Sequence, residues 1–373
     1  MSFHIRMLES TEERREVQRM FYEIYVEEMG RLQDEADHEN RLLVLDNFEH
    51  FRILGAFDTE ETLQGFTVLT TGEDIAISED YTQDYNLTLF QDIIPQKRFF
   101  FAENTLVRRA VRGTSIAINL IMAASDYFFK HEYPAAFIDC EPHLLNLFTR
   151  LGFRSYTEPY FEPQFGMVCP LILLPDVEHL TQLNSPLAQL PHAPTQSSEQ
   201  TLALRAICEQ RASLLGTQQT MSEAEWNHVY QLSIKSNDMG TSIFSDMTEE
   251  QKEVCLKNSL VLTCHQGTPI ITKGNKGDQS MYLILSGSVL IQNKQGKTIA
   301  VRGEGDILGE IAFLMKVERT ANVTAAVDNT RILIFNQKNI EAMIAHNSDV
   351  ASRFLFNLNK LLCTKLISRM ATE

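Results

Sequence analysis

The chain has 373 residues, a formal net charge of −16, 44% hydrophobic residues and 22% charged residues. This composition supports ordinary globular cores and excludes a chain that is disordered throughout its length. The length allows two or three domains. Because DNA-reading proteins contact phosphates through a basic face, the acidic balance argues against a nucleic-acid partner.

The sequence contains no apolar run near the ~20 residues that a membrane-spanning helix requires. Its acidic first turns, from Glu9 to Glu16, do not resemble a signal peptide. The six cysteines form no CxxC pair, and the ten histidines show no metal-ligand spacing. We therefore expect a cytoplasmic protein with reduced thiols, no membrane span and no metal site.

Residues 1–174 alternate between helical and strand-like patterns, which predicts a mixed α/β domain. Apolar spacing predicts helices over 12–29, 115–129 and 143–151. Runs of apolar and β-branched residues predict strands over 51–57, 65–70, 98–106, 135–140 and 167–174.

The segment 175–241 differs from the regions on either side. Its first part, 175–199, has four prolines and no sustained period, which predicts a linker. Residues 200–215 and 222–235 are predicted to form two connecting helices.

A third region is predicted over 242–373. Between 267 and 335 the pattern consists of short strands separated by glycine turns, which predicts a small antiparallel barrel or jelly roll. Residues 349–369 predict an amphipathic helix. The fold class expected for the whole chain is α+β.

One segment of the third region is suited to a cyclic phosphodiester. It runs from Gly305 to Phe313 and is followed by Glu318-Arg319-Thr320-Ala321. Gly309 allows a close backbone approach, and the start of a short helix offers free N–H groups to an anion. Arg319 is placed to hydrogen-bond the exocyclic phosphate oxygens, and Glu310 to accept a hydrogen bond from the ribose 2′-hydroxyl.

These residues resemble the phosphate-binding cassette of the cyclic-nucleotide-binding family, and the resemblance covers about a third of the chain. It implies that Gly309, Glu310, Ile311 and Ala312 bind ribose and phosphate, that Arg319 pairs with the phosphate, and that Thr320 contacts the phosphate or a guanine amino group. It also implies that the C-terminal helix caps the base through Leu358, Leu361 or Leu362. The resemblance favours cAMP over cGMP, and Thr320 leaves cGMP open.

A second signal lies between a predicted strand and a predicted helix, at residues 106–116. A tight turn that leads into a helix presents consecutive N–H groups to an anion. Small residues in the turn allow a phosphate close to the backbone, and three arginines add positive charge. The residues concerned are Leu106, Val107, Arg108, Arg109, Arg112, Gly113, Thr114 and Ser115.

This turn, together with Leu151-Gly152-Phe153, resembles the GNAT acyltransferase superfamily, and the N-terminal stretch 21–30 resembles its N-acyl amino acid and acyl-homoserine-lactone synthases. The resemblance implies that the turn binds the acyl donor, a coenzyme A thioester or an acyl carrier protein. It implies that the acceptor is a small amine or a protein lysine. Ser115 departs from the family's second glycine, and Phe148 departs from a frequent tyrosine acid.

Glu103 matches a carboxylate of the synthase subgroup and is the predicted catalytic residue, which would orient or deprotonate the attacking amine. A surface or capping role is the alternative for this residue. The resulting hypothesis is a cyclic-nucleotide-regulated N-acyltransferase. A non-catalytic sensor, whose first domain only binds an acyl or nucleotide ligand, is the alternative function. A homodimer through the C-terminal helix also stays open.

Overall fold

The computed structural model of the protein falls into two compact units. The first comprises residues 1–160 and 168–215, and the second comprises residues 216–373 together with 161–167. The structure describes residues 3–45, 48–75, 77–141, 144–157, 159–162, 165–215, 242–256, 260–274, 280–293, 295–335 and 337–370.

A mixed eight-stranded sheet forms the centre of the first unit, in the order β1-β2-β3-β4-β5-β8-β6, with β7 paired to β8. The strands are β1 His4–Met7, β2 Arg52–Phe57, β3 Leu63–Thr71, β4 Phe100–Val107, β5 Ala136–Cys140, β6 Arg154–Ser155, β7 Tyr160–Glu162 and β8 Gly166–Leu173. Strands β4 and β5 run parallel, whereas β2–β3, β3–β4 and β5–β8 are antiparallel pairs.

The α-helices of the first unit are α1 Thr11–Phe21, α2 Glu79–Asp84, α3 Ile116–Lys130, α4 Leu145–Leu151, α5 Val177–Gln182 and α6 Glu199–Leu215. Helix α1 begins at a capping box, in which Ser10 and Glu13 satisfy each other's backbone N–H groups. The predicted helix 12–29 differs in one respect, because α1 continues as a π-helix over Tyr22–Glu28. Its buried residues Tyr22, Ile24, Tyr25 and Val26 are more closely spaced than one α-helical stripe provides.

Strands β4 and β5 separate towards their C-terminal ends. They pair only at Phe100↔Ala136 and Phe101↔Phe137, although β4 continues to Val107. On its other edge β4 carries a register shift opposite β3, and Asn104 at this irregularity has a φ of 51°. The bulge and the separation of the strands leave part of β4 accessible beside Glu103.

Part of the segment predicted as a linker packs on the first unit. Leu180, Leu187 and Leu204 are buried there. Asp176 is fully buried, caps α5 through the His179 N–H and forms ion pairs with Arg154 and Arg205. These contacts explain why the proline-rich sequence contains short helices. The domain boundaries stay a prediction, and the second connecting helix, 222–235, lies outside the described residues.

The second unit contains two four-stranded sheets, in the orders β10-β15-β12-β13 and β14-β11-β16-β9. The strands are β9 Leu260–Cys264, β10 Pro269–Ile271, β11 Met281–Ser286, β12 Ser288–Gln292, β13 Thr298–Gly303, β14 Ile307–Leu308, β15 Asn322–Ala325 and β16 Thr330–Phe335. All of the recorded pairs within these sheets are antiparallel. The predicted jelly-roll region and the α+β class are confirmed.

Strand β11 explains how this unit builds two apolar layers. Because side chains alternate across a strand, Met281 and Leu283 belong to one buried cluster, whereas Tyr282 and Ile284 belong to another. A strand that is covered on both faces is apolar along its whole length.

The helices of the second unit are α7 Glu249–Leu256, α8 Glu310–Met315, α9 Gln337–His346 and α10 Ser348–Met370. The predicted C-terminal helix is confirmed as α10. Its first half is anchored: Phe354 and Leu358 are buried, and the Asn357 amide donates to the carbonyls of Ile243 and Ser245 at 3.1 and 2.7 Å.

None of the helices in the described ranges is long and apolar enough to cross a membrane. The same part of the chain contains no group of three or more His, Cys, Asp and Glu side chains arranged to hold a metal ion.

We predict that Asp176→Ala lowers the free energy of unfolding of the first unit by about 3 kcal/mol, because it leaves the Arg154 guanidinium buried without its carboxylate. Urea denaturation measures the loss. Glu178→Ala is the control, because Glu178 pairs with the same Arg205 but is 65% exposed, and we expect it to cost less than about 1 kcal/mol. Equal losses in the two variants would contradict this role of Asp176.

Candidate functional site

The cassette turn of the second unit requires glycine at position 309. Gly309 has a φ of 75° and directly precedes α8. A Cβ atom at this position would lie 2.4 Å from Nη1 of Arg319 and 3.1 Å from the Ser280 carbonyl oxygen. Any side chain would therefore be strained and would push the arginine away.

Arg319 is 2% exposed, and its guanidinium lies against this turn. Nη1 donates to the Gly309 carbonyl oxygen at 3.0 Å, and Nη2 donates to the Ser280 carbonyl oxygen at 2.6 Å. The guanidinium carbon lies 5.7 Å from the centre of the Tyr282 ring. A buried positive charge beside the start of α8 favours an anionic ligand at this place.

Glu310 is the first residue of α8, and its side chain is 12% exposed. Its Oε1 accepts from the ammonium group of Lys365 on α10 at 2.7 Å, and the same ammonium donates to the Ile307 carbonyl at 2.6 Å. The sequence analysis missed Lys365. Its spacing of four and seven residues from Leu361 and Leu358 puts it on the helix face predicted to cap the base, and that spacing was the available signal.

The remaining predicted cassette residues differ in exposure. Ala312 is buried, whereas Ile311 is 45% exposed and Thr320 is also exposed. The structure therefore brings Gly309, Glu310 and Arg319 together around one turn. Ile311 and Thr320 lie at the surface of the unit.

In the first unit, Glu103 lies on β4 beyond the point where β4 leaves β5. The Tyr81 hydroxyl lies 3.0 Å from both of its carboxylate oxygens, and the Tyr85 hydroxyl lies 3.3 Å from Oε1. These phenols stand four residues apart, so one edge of the α2 segment presents both. The hydrogen bonds argue against the surface-carboxylate alternative for Glu103.

A second carboxylate, Asp139 on β5, lies near Glu103. It accepts from the Tyr160 hydroxyl at 3.0 Å, and the Tyr85 hydroxyl also interacts with it. Neither carboxylate has an Arg, Lys or His partner within salt-bridge distance in the described part of the chain. The sequence analysis did not assign Asp139 or the tyrosines, because three separate elements, α2, β5 and β7, contribute them.

Burial and then the neighbouring charge of Asp139 raise the pKa of Glu103 from its ordinary 4.5 to about 7. Burial also raises the pKa of Asp139. A carboxylate with a pKa near neutrality is suited to accept a proton from an amine.

The π-helix reaches the same part of β4. The Tyr25 hydroxyl donates to Oδ1 of Asn104 at 2.8 Å, next to Glu103 in the chain. π-Helical turns are frequent at functional sites. This contact fixes the bulged residue that follows the candidate base.

The glycine of the predicted donor-binding turn adopts a left-handed backbone conformation. Gly113 has a φ of 83°, and a Cβ atom there would meet nothing within 4 Å. The Thr114 hydroxyl donates to the Val111 carbonyl at 2.7 Å, and Ser115 precedes the first residue of α3. Leu106 and Val107 lie opposite Phe66 and Gly65 in the β3–β4 pair.

The three arginines of this turn are not equivalent. Arg108 forms ion pairs with Glu16 and Glu23, and Arg112 pairs with Glu28 at 2.7 Å. Arg109 is exposed. Acidic residues of α1 and the π-helix therefore partly compensate the charge of two of the three arginines, and donor binding by all three stays a prediction.

Phe148, predicted to replace a catalytic tyrosine, is 9% exposed. Its ring packs edge-on against Phe153, with 5.3 Å between the ring centres. This environment is apolar packing, and the side chain carries no proton to donate.

Comparison with known proteins shows which class of domain the second unit contains. A family model described as "Cyclic nucleotide-binding domain" matches residues 261–347. The cyclic AMP receptor protein of Thermus thermophilus is 28% identical over 117 residues, which cover 29% of this chain and 54% of that protein. A cGMP-dependent protein kinase of Eimeria tenella is 30% identical over 133 residues, which cover 35% of this chain and 13% of the kinase. The chain thus spans about half, or less, of the length of these curated relatives.

Solved structures resemble each unit at low scores. A CoA-dependent acyl-homoserine lactone synthase resembles 56% of this chain and 100% of its own, at 14% identity and a TM-score of 0.42. The Thermus thermophilus catabolite activator protein resembles 35% of this chain and 60% of its own, at 28% identity and a TM-score of 0.31. The family model and the cassette define the second unit as a cyclic nucleotide-binding domain.

We predict that Glu103→Gln raises the free energy of unfolding more at pH 8 than at pH 5. The folded-state pKa of about 7 lies above the ordinary 4.5. The folded protein therefore binds the extra proton between these values, and stability is lost as the pH rises through 7. Because glutamine does not ionise, the variant lacks this pH-dependent loss of stability. Urea denaturation at pH 5 and pH 8 measures the free energy of unfolding of each protein. Glu60→Gln, at an exposed turn, is the control, and equal pH dependence in both variants would contradict the burial of Glu103.

Proposed function

We propose that the chain is a cyclic-nucleotide-regulated N-acyltransferase, in which the second unit binds the nucleotide and the first transfers an acyl group to an amine. The observation that carries the proposal is the buried Arg319 guanidinium, held beside Gly309 and Glu310 in a domain matched by the cyclic nucleotide-binding family. The acyltransferase half rests on the geometry around Glu103 and on the sequence resemblance.

In the proposed nucleotide complex, Arg319 turns from backbone carbonyls to the cyclic phosphate, which also accepts from N–H groups at 309–312. Glu310 accepts from the ribose 2′-hydroxyl. The base lies against α10 near Leu358, Leu361 and Leu362. We favour cAMP over cGMP on the family resemblance, and the exposed Thr320 leaves cGMP open.

In the proposed acyl transfer, the donor lies where β4 and β5 separate, with its phosphates near Gly113, Thr114, Ser115 and the exposed Arg109. Backbone N–H groups near Leu106 and Val107 polarise the thioester carbonyl. Glu103 accepts a proton from the acceptor amine, which attacks the carbonyl carbon and expels the thiolate. The donor is a coenzyme A thioester or an acyl carrier protein, and the acceptor is a small amine or a protein lysine.

Two observations favour the alternative of a non-catalytic sensor. Phe148 is packed in an apolar environment, so this position supplies no acid for the leaving thiolate. Arg108 and Arg112 are also engaged by carboxylates. A first unit of this kind would bind an acyl or nucleotide ligand without turning it over.

We predict that the full chain binds cAMP in isothermal titration calorimetry and that Arg319→Gln weakens binding by about 100-fold, because a charge-assisted pair to the phosphate is lost. Arg302→Gln, on β13 of the same unit, is the control for the change in charge. Thermal denaturation checks that both variants fold. No heat from cAMP or cGMP with the unaltered protein would contradict the nucleotide half of the proposal.

We predict that coenzyme A raises the melting temperature and that a panel of acyl-CoA and acyl-carrier donors shows transfer to an amine, with turnover that changes when cAMP is added. Glu103→Gln lowers kcat and leaves donor binding intact, because the residue acts on the acceptor. Donor binding without turnover would support the sensor. If the protein shows no donor binding and no turnover, both of the functions proposed for the first unit are contradicted.

A further inference from the structure

We propose that Lys365 is an affinity-determining residue of the nucleotide site, which competes with the ribose for the carboxylate of Glu310. The inference rests on the proposed function, in which Glu310 accepts from the ribose 2′-hydroxyl. In the structure the ammonium group of Lys365 already engages this carboxylate, 2.7 Å from its Oε1.

The contact is partly shielded from water. The Glu310 side chain is 12% exposed and that of Lys365 is 30% exposed. Burial at this level makes an ion pair more persistent than a surface pair, because fewer waters compete for the two charges. A ribose hydroxyl that reaches Glu310 must therefore meet a carboxylate that is already engaged.

The ammonium group also ties α10 to the strand that leads into the cassette. It donates to the Ile307 carbonyl on β14 at 2.6 Å, two residues before Gly309. Lys365 thus joins β14 and α8, the two elements on either side of the cassette turn, to the C-terminal helix. A nucleotide that displaces it changes the contacts of all three elements.

The part of α10 that carries Lys365 differs from the part that precedes it. Leu361 is the last hydrophobic side chain of α10 that is buried in the described residues, whereas Leu366 and Ile367 are 60% and 56% exposed. Within the described side chains up to residue 367, apolar burial therefore decreases after Leu361, and the polar contacts of Lys365 carry more of the attachment of this turn. Loss of these contacts would release the end of the helix.

Ligand and lysine are then linked reciprocally. If bound nucleotide weakens the contact between Lys365 and Glu310 by some factor, that contact weakens nucleotide binding by the same factor. Removing the lysine should strengthen nucleotide binding. Loss of a residue that contacted the ligand would have the opposite effect, so the sign of the change separates the two roles.

The test is isothermal titration calorimetry of the full chain with cAMP and with 2′-deoxy-cAMP. We expect Lys365→Met to bind cAMP about fivefold more tightly, the factor expected when a partly exposed competing pair is removed. We expect less than about a twofold change for 2′-deoxy-cAMP, which has no hydroxyl to compete for Glu310. Lys365→Arg keeps the positive charge and should bind both nucleotides as the unaltered protein does.

Lys360→Met is the matched control. Lys360 is an exposed lysine of the same helix, with its ammonium 4.8 Å from the centre of the Phe356 ring, and its removal should change neither affinity. Thermal denaturation verifies folding of each variant. Weaker binding, equal tightening for both nucleotides or no change in Lys365→Met would overturn the inference while nucleotide binding stands. No binding by the unaltered protein and by Lys365→Met would contradict the proposed function and the inference together.

Discussion

The second unit depends on one buried cation held by backbone oxygens. Arg319 is 2% exposed, and it donates to the carbonyls of Gly309 and Ser280. These bonds join the start of α8 to the residue that precedes β11. They require glycine at position 309, because a Cβ atom there would clash with the guanidinium. The two carbonyl oxygens accept from the terminal guanidinium nitrogens, and a phosphate that replaced them would make charge-assisted hydrogen bonds in their place.

The first unit has a comparable arrangement with the opposite charge. Glu103 and Asp139 lie near each other on strands that separate, and three tyrosine hydroxyls supply their hydrogen bonds. Phenols stabilise a carboxylate without adding positive charge, and burial therefore keeps the pKa of Glu103 near 7. A base of this strength accepts protons at neutral pH, which the proposed attack of an amine on a thioester would require.

The sequence could predict the features that are local in the chain. The cassette from Gly305 to Ala321 is nearly contiguous, so its glycine, carboxylate and arginine appear together, and a domain of the predicted family is present there. The alternation of apolar residues likewise predicted the strands. Lys365 and Asp139 could not be assigned in this way, because only the packing of distant elements brings them to Glu310 and Glu103. The ligand roles of all these residues stay predictions.

Charge compensation is a second feature that sequence patterns did not reveal. Three arginines in one turn suggested a phosphate-binding surface, but Arg108 and Arg112 meet carboxylates from α1 and the π-helix. The partners are far away in the chain, and no periodicity connects them with the turn. Asp176 gives a similar case, since its ion pairs with Arg154 and Arg205 hold a proline-rich segment against the first unit.

A crystal structure of the full chain with cAMP tests the central claim most directly. The account predicts that the cyclic phosphate lies on the Arg319 guanidinium at the start of α8, with the ribose 2′-hydroxyl at Glu310 and Lys365 displaced from it. A nucleotide bound elsewhere in the molecule, or a guanidinium still bound to the carbonyls of Gly309 and Ser280 without contact to the phosphate, would contradict it.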